Sequence, residues 1–260
     1  MIKNNFESLL TEEECQKAQT IIDDAHHAGV NAIINVGTNL LESINSVKLA
    51  QLYAPIFATI GIHPNDARED WHEHFKELEI LAREHVRHKI VAMGECGIDR
   101  HYPDYHLTRQ QDVFRAHITC ALEYDLALII HTRDAEDETL KILDEFSHEP
   151  LRGVFHCFSG DLSFAHEAIK RGFVLGIGGT ITYPKNNIVR DVVRTLGERK
   201  IILETDSPYL PPQSIRGKPN SPAQIKTIAE YCAQLLGLSV HDLARATSST
   251  SRDTFRLDAR

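Results

Sequence analysis

The chain is poor in the features that would set it apart from ordinary globular proteins. Its 260 residues contain five cysteines (Cys15, Cys96, Cys120, Cys157 and Cys232), an odd and scattered set with no Cys-x-x-Cys pair. That excludes a disulfide-stapled scaffold and points to reduced thiols. Long apolar runs are missing as well. Ala127 to Ile130 and Ile201 to Leu203 are typical, far below the ~18 consecutive apolar residues of a membrane span. No basic-then-apolar leader opens the sequence, so no membrane partner is expected and the cytoplasm is the expected compartment. Excess positive charge is absent too: 28 basic against 37 acidic residues leave a formal charge of −9. This argues against a broad basic face for duplex nucleic acid. A hydrophobic content of 42% and a charged content of 25% also exclude a disordered or fibrous chain. With no low-complexity linker to divide it, the sequence reads as a single domain over residues 1–260.

What is present is a repeat of short Ile/Val-rich runs, each followed by a turn and a stretch of helical periodicity. Strands are expected at 31–36, 57–62, 90–95, 128–131, 153–156, 173–177 and 201–204, with helices such as 109–123, 136–146 and 187–196 between them. Continuous apolar runs suit buried parallel strands, and the alternation with helices suits crossover connections. Thr11 with Glu14 forms a capping box for a helix ending near Gly29, and Thr108 with Gln111 repeats the spacing. Ser221-Pro222 places proline at a first helical position. Seven strands fall one short of a closed (β/α)8 barrel, because Met1 to Phe6 does not read as a buried strand.

Polar residues recur where the apolar runs end. His63 lies in Gly61-Ile-His-Pro64, and Glu95 in Gly94-Glu-Cys-Gly-Ile-Asp99. His131 opens His131-Thr-Arg-Asp134, and His156 opens His156-Cys-Phe-Ser-Gly160. Asp206 lies in Glu204-Thr-Asp-Ser-Pro-Tyr-Leu210. In a parallel barrel these positions converge on the C-terminal face, where such folds keep their active sites. A single histidine at a strand end is more often a structural hydrogen-bonding residue. Five polar residues at the same phase of successive units instead suit a divalent ion held by imidazole and carboxylate. Other patterns fail. His72-Glu73 and His166-Glu167 lack the second histidine of a His-Glu-x-x-His zinc motif, and Gly176-Ile-Gly178-Gly179 reads as a strand end rather than a dinucleotide loop. Cys96 and Cys157 read as small packing residues beside the site.

These five ordered motifs resemble the TatD family of metal-dependent deoxyribonucleases, within the amidohydrolase-like barrels, from about Asn31 to the C-terminus. The resemblance implies an α/β fold, a TIM-type (β/α)8 barrel. It also implies two divalent ions per subunit (Mg, Mn or Zn) and cleavage of DNA phosphodiester bonds, as a 3′ to 5′ exonuclease on single strands. By the same resemblance Glu95 bridges the ions, and His131 and His156 hold the second. Asp206 ligates the first ion and orients or deprotonates the attacking water. His63 and Arg133 contact substrate. Lys185, Arg216 and Lys218 could add phosphate contacts from the loops. The implied partner is single-stranded DNA or a 3′ end, acted on by a monomer.

One departure stands out. The family opens with Asp-x-His-x-His-Leu on its first strand, whereas this sequence has no histidine before His26. The expectation is therefore a barrel whose first strand is missing from the chain, Met1 being an internal start, and a first ion site weakened to Glu95 and Asp206. Two alternatives remain at this point: a metal-dependent hydrolase of a small amide or phosphoester, and an N-terminally truncated, catalytically impaired remnant.

Overall fold

The computed structural model describes residues 2–3 and 9–259. Among the described residues, eight strands form one sheet in the order of the sequence, every neighbouring pair parallel. They are β1 (Ile2–Lys3), β2 (Ile33–Val36), β3 (Ile56–Ile60), β4 (Ile90–Asp99), β5 (Ala127–Arg133), β6 (Gly153–Phe155), β7 (Phe173–Ile177) and β8 (Ile201–Leu203). Helices α1 (Glu12–His27), α2 (Leu40–Leu52), α3 (Trp71–Arg83), α4 (Leu107–Glu123), α5 (Glu136–Glu145), α6 (Leu162–Lys170) and α7 (Asn187–Leu196) alternate with the strands. Two more, α8 (Ile225–Leu236) and α9 (Val240–Phe255), follow β8. This is the TIM-type arrangement, with strand ladders joining each strand to the next from β1 to β8.

The first position is not empty. Ile2 and Lys3 pair with Asn35 and Val36 of β2, so a two-residue strand stands where the sequence pattern left a gap. Its pairing is dictated by the open edge of β2 rather than by an apolar run of its own, so hydrophobic patterning could not find it. The remainder of the Met1 to Phe6 stretch lies outside the described residues.

Side chains alternate along each strand and sort into two layers. Val91, Ile129, Val154 and Ile202 cluster together with Phe255 of α9. Their strand neighbours Ile90, Leu128, Phe155 and Ile201 join the larger cluster shared with the helices. The smaller cluster therefore fills the concave side of the sheet, and Phe255 packs into it.

The helix starts follow local chemistry. Thr11 and Glu14 form the expected reciprocal capping box at the start of α1. The Thr108–Gln111 spacing does not act as a cap. α4 begins at Leu107, and His106 caps it through a ring nitrogen that accepts from the Arg109 N–H at 3.3 Å. Pro222 opens a short 3-10 turn that runs into α8.

Candidate metal centre

The site is assembled at the C-terminal ends of the strands, and β4 contributes most to it. This strand carries a register shift against β5 between Met93 and Cys96, a local extra residue that re-aims the side chain at the irregularity. Glu95 sits there, fully buried, with its N–H donating to the Gly37 carbonyl at 3.0 Å. Glycine on either side makes the close approach possible. At Gly94 and Gly97 the φ angles are +132° and +136°, and a Cβ would stand 2.5 Å from the Ile129 oxygen and 2.1 Å from the His131 oxygen. Only glycine meets both demands.

Around Glu95 the structure brings together four of the residues expected from the sequence. Its Oε1 lies 2.8 Å from His131 Nδ1, 3.5 Å from His63 Nε2 and 3.9 Å from His156 Nε2. Asp206 Oδ1 is 3.6 Å from the same His156 nitrogen. His63 Nδ1 accepts the Asn65 N–H at 3.2 Å, so its Nε2 carries the proton that faces this cluster, 3.3 Å from His131 Nδ1. The main chain near His63 is held by a core histidine: His117 Nε2 accepts the Ile62 N–H at 3.0 Å while its Nδ1–H donates to the Val113 carbonyl at 2.7 Å. Arg133, the last residue of β5, is exposed on the rim beside the cluster. Asp206 and Cys157 both take left-handed backbone conformations, φ 57° and 46°, immediately past their strands. Strained geometry of this kind concentrates at functional sites.

Two residues not singled out from the sequence complete the arrangement. Asp99 Oδ2 lies 3.1 Å from His131 Nε2, the nitrogen turned away from Glu95. A carboxylate oxygen of Glu204 lies 3.1 Å from His156 Nδ1, the nitrogen turned away from Asp206. Each imidazole is thus gripped from behind by a carboxylate, which fixes its ring and leaves the other nitrogen pointing into the cluster. The carboxylates are themselves secured. Asp99 accepts from Asn65 Nδ2 at 3.1 Å and the His101 N–H at 2.8 Å, and Glu204 accepts the Cys157 N–H at 2.7 Å. Gln110 on α4 grips the Asp99 main chain in both directions, each at 3.0 Å. Asp99 lies four residues beyond Glu95 on the same strand, which runs past the expected end at Glu95.

The charges follow from this packing. Burial opposes a positive imidazole at His156, but Glu204, Glu95 and Asp206 outweigh it and raise its pKa to about 9. His131 is raised in the same way, burial again being outweighed by Asp99 and Glu95. Burial would raise the Asp99 carboxyl, yet the hydrogen bonds from His131 and His101 hold it well below the usual carboxylate range. Glu204 is lowered against its burial by His156. Imidazoles surrounded by this much negative charge take up protons unless another cation replaces them. Imidazole nitrogen and carboxylate oxygen are the donors that zinc and manganese accept, so the residues fit a divalent ion. His63, Asp99 and His131 form one compact donor group, and His156, Cys157 and Glu204 another. Asp99 and Glu204 lie at the outer nitrogens of these imidazoles, and Glu95 and Asp206 at the inner ones.

The comparisons agree with this geometry. Residues 7–256 match the family model described as TatD related DNase. The chain belongs to this family. Among its relatives, the uncharacterized metal-dependent hydrolase YabD of Bacillus subtilis is 31% identical over 258 residues, 99% of this chain and all of that one. The 3′-5′ ssDNA/RNA exonuclease TatD of Citrobacter rodentium is 31% identical over 240 residues, 90% of each chain. The crystal structure of the TatD homologue YjjV of Escherichia coli K12 superposes with a TM-score of 0.88 at 30% identity, covering 95% of this chain and 94% of that one. This TatD-family chain is accordingly a metal-dependent hydrolase by family, and no helix among its described residues is long and apolar enough to cross a membrane.

Proposed function

We propose that the protein is a 3′ to 5′ exonuclease that removes nucleotides from single-stranded DNA. The observation that carries this reading is the set of four donor side chains at the mouth of the barrel, with both histidines braced from behind by Asp99 and Glu204. Glu95, His131 and His156 would hold one divalent ion, with Asp206 beside it. When bound, such an ion supplies positive charge that polarises a phosphate and acidifies a water molecule.

The chain's own groups account for the rest of the chemistry. The Asp206 carboxylate accepts the proton of the water that attacks phosphorus, and the bond from phosphorus to the 3′ oxygen of the preceding nucleotide breaks. That oxygen takes up a proton from solvent as the new 3′ hydroxyl, and a 5′-mononucleotide leaves. The His63 Nε2–H and the Arg133 guanidinium face the entering phosphate and position it. The acidic net charge suits an enzyme that engages a strand end through a few contacts rather than a duplex through a broad basic face. Lys185, Arg216 and Lys218 are exposed and add to the phosphate contacts.

A second ion has weaker support. The residues that follow β1 are Asn4-Asn5-Phe6-Glu7-Ser8, with no imidazole, so the first site rests on Glu95 and Asp206. We take the enzyme to work in the cytoplasm as a monomer, its catalytic unit spanning residues 1–260. The test is release of 3′-terminal nucleotides from labelled single-stranded DNA with added Mg²⁺ or Mn²⁺. Release by the wild type that Glu95→Ala abolishes supports the reading. No release at any ion concentration refutes it.

A further inference from the structure

We propose that Tyr102 is a stacking platform for a nucleobase of the substrate strand, a subsite beside the proposed catalytic centre that reads the base and not the phosphate. The inference rests on the nuclease reading above and deepens it. Tyr102 lies in the loop that leaves β4 just after Asp99, and its side chain is 50% exposed. The loop that presents it is anchored at its start. The His101 N–H donates to Asp99 Oδ1 at 2.8 Å, and the His101 ring lies 3.2 Å from the Asp134 carboxylate at the exit of β5. The Tyr102 ring meets His101 edge-on at 5.3 Å, and the Arg133 guanidinium lies 5.8 Å from its centroid. A phosphate-binding cation and an open aromatic ring are therefore neighbours, the spacing in which a nucleotide offers its own phosphate and base.

The other tyrosine of this loop is already committed. Tyr105 lies beneath the Arg100 guanidinium at 5.8 Å, and Arg100 is paired with Glu138. Tyr102 instead meets His101 and Arg133, on the rim beside the proposed centre. The charge balance gives the platform a purpose. With a formal charge of −9, the chain has no broad excess of cations along which a strand's phosphates could be neutralised. Stacking contributes affinity that every base can supply, whatever the sequence.

The experiment compares steady-state cleavage of a single-stranded oligodeoxynucleotide with cleavage of the same backbone made abasic at its 3′-terminal residues, using wild type, Tyr102→Ala and Tyr102→Phe with Mn²⁺. Loss of one stacked base predicts a rise in KM of about tenfold for Tyr102→Ala on the normal strand. Little change in kcat and near-wild-type behaviour for Tyr102→Phe are expected with it. On the abasic strand, wild type and Tyr102→Ala should share the same KM. An unchanged KM for Tyr102→Ala, or an equal rise on both strands, overturns the platform while leaving the nuclease reading intact. A wild type that cleaves neither strand overturns both.

Discussion

The buried imidazole of His117 gives the sharpest test of how the scaffold supports the site. It is fully enclosed between α4 and the loop after β3, and it is neutral by design: one ring nitrogen donates to Val113 and the other accepts from Ile62, next to His63. Burial lowers its pKa from 6.5 to about 4, against a smaller opposing pull from the Val113 carbonyl. The unfolded chain therefore takes up this proton before the folded one does. The stability is intact above about pH 6.5 and is lost as the pH falls towards 4. A gap of 2.5 pKa units corresponds to about 3 kcal/mol between pH 7 and pH 4.

Acid acts on every other carboxylate and histidine as well, so the useful quantity is a difference. His117→Leu removes the titrating group and leaves the buried Ile62 N–H without its acceptor, at a cost of about 1–3 kcal/mol at pH 7. Urea unfolding of both proteins can be followed by the fluorescence of Trp71, the single tryptophan, whose neighbour Phe75 packs edge-on against His117 at 4.9 Å. Wild type should be the more stable at pH 7, and its advantage should vanish or reverse by pH 4. A stability gap that stays constant across that range refutes the assignment of His117 as a neutral, buried hydrogen-bond relay.

Two further outcomes follow from the centre itself. Chelated and then reloaded with Mn²⁺ and desalted, the chain should retain about one ion, since three braced donors hold it more firmly than Glu95 and Asp206 hold another. Calorimetry at pH 7 should record proton release as His156, its pKa raised to about 9, gives up its proton, and two equally tight ions would contradict the single retained ion. Asp99→Asn and Glu204→Gln should each weaken Mn²⁺ binding by about 10- to 100-fold without unfolding the protein. Unaltered affinity in both variants would show that the bracing carboxylates are ornamental.

Much of this site was legible in the sequence because of where its polar residues fall. Glu95, His131, His156 and Asp206 each appear at or just beyond the end of an apolar run, and a parallel barrel gathers such positions at one end. β5 and β7 were readable for the same reason, although β4 continues to Asp99 instead of stopping at Glu95. That extension hid the role of Asp99, because the register shift at Glu95 breaks the simple alternation of the strand. Glu204 was hidden by adjacency: it opens the motif in which Asp206 was the more conspicuous acid. His117 was invisible on a helix face that looks like any buried stripe, since its two partners are main-chain groups. The start of α4 was displaced from the Thr108 spacing because a ring nitrogen of His106 supplied the cap earlier in the chain.

The ladder between β4 and β5 has a consequence for how such an enzyme changes its substrate. Gly97 stands opposite His131 and Asp99 opposite Arg133. Strand pleating thus acts as a ruler for Glu95, Asp99, His131 and Arg133 together. Residues 102–105 hang beyond the end of that ruler, past the Arg100 and His101 N–H groups that still hold Arg133 and Asp99. Transplanting this segment from one relative into another should exchange the surface that greets the incoming molecule and leave the measured spacings beneath it as they were.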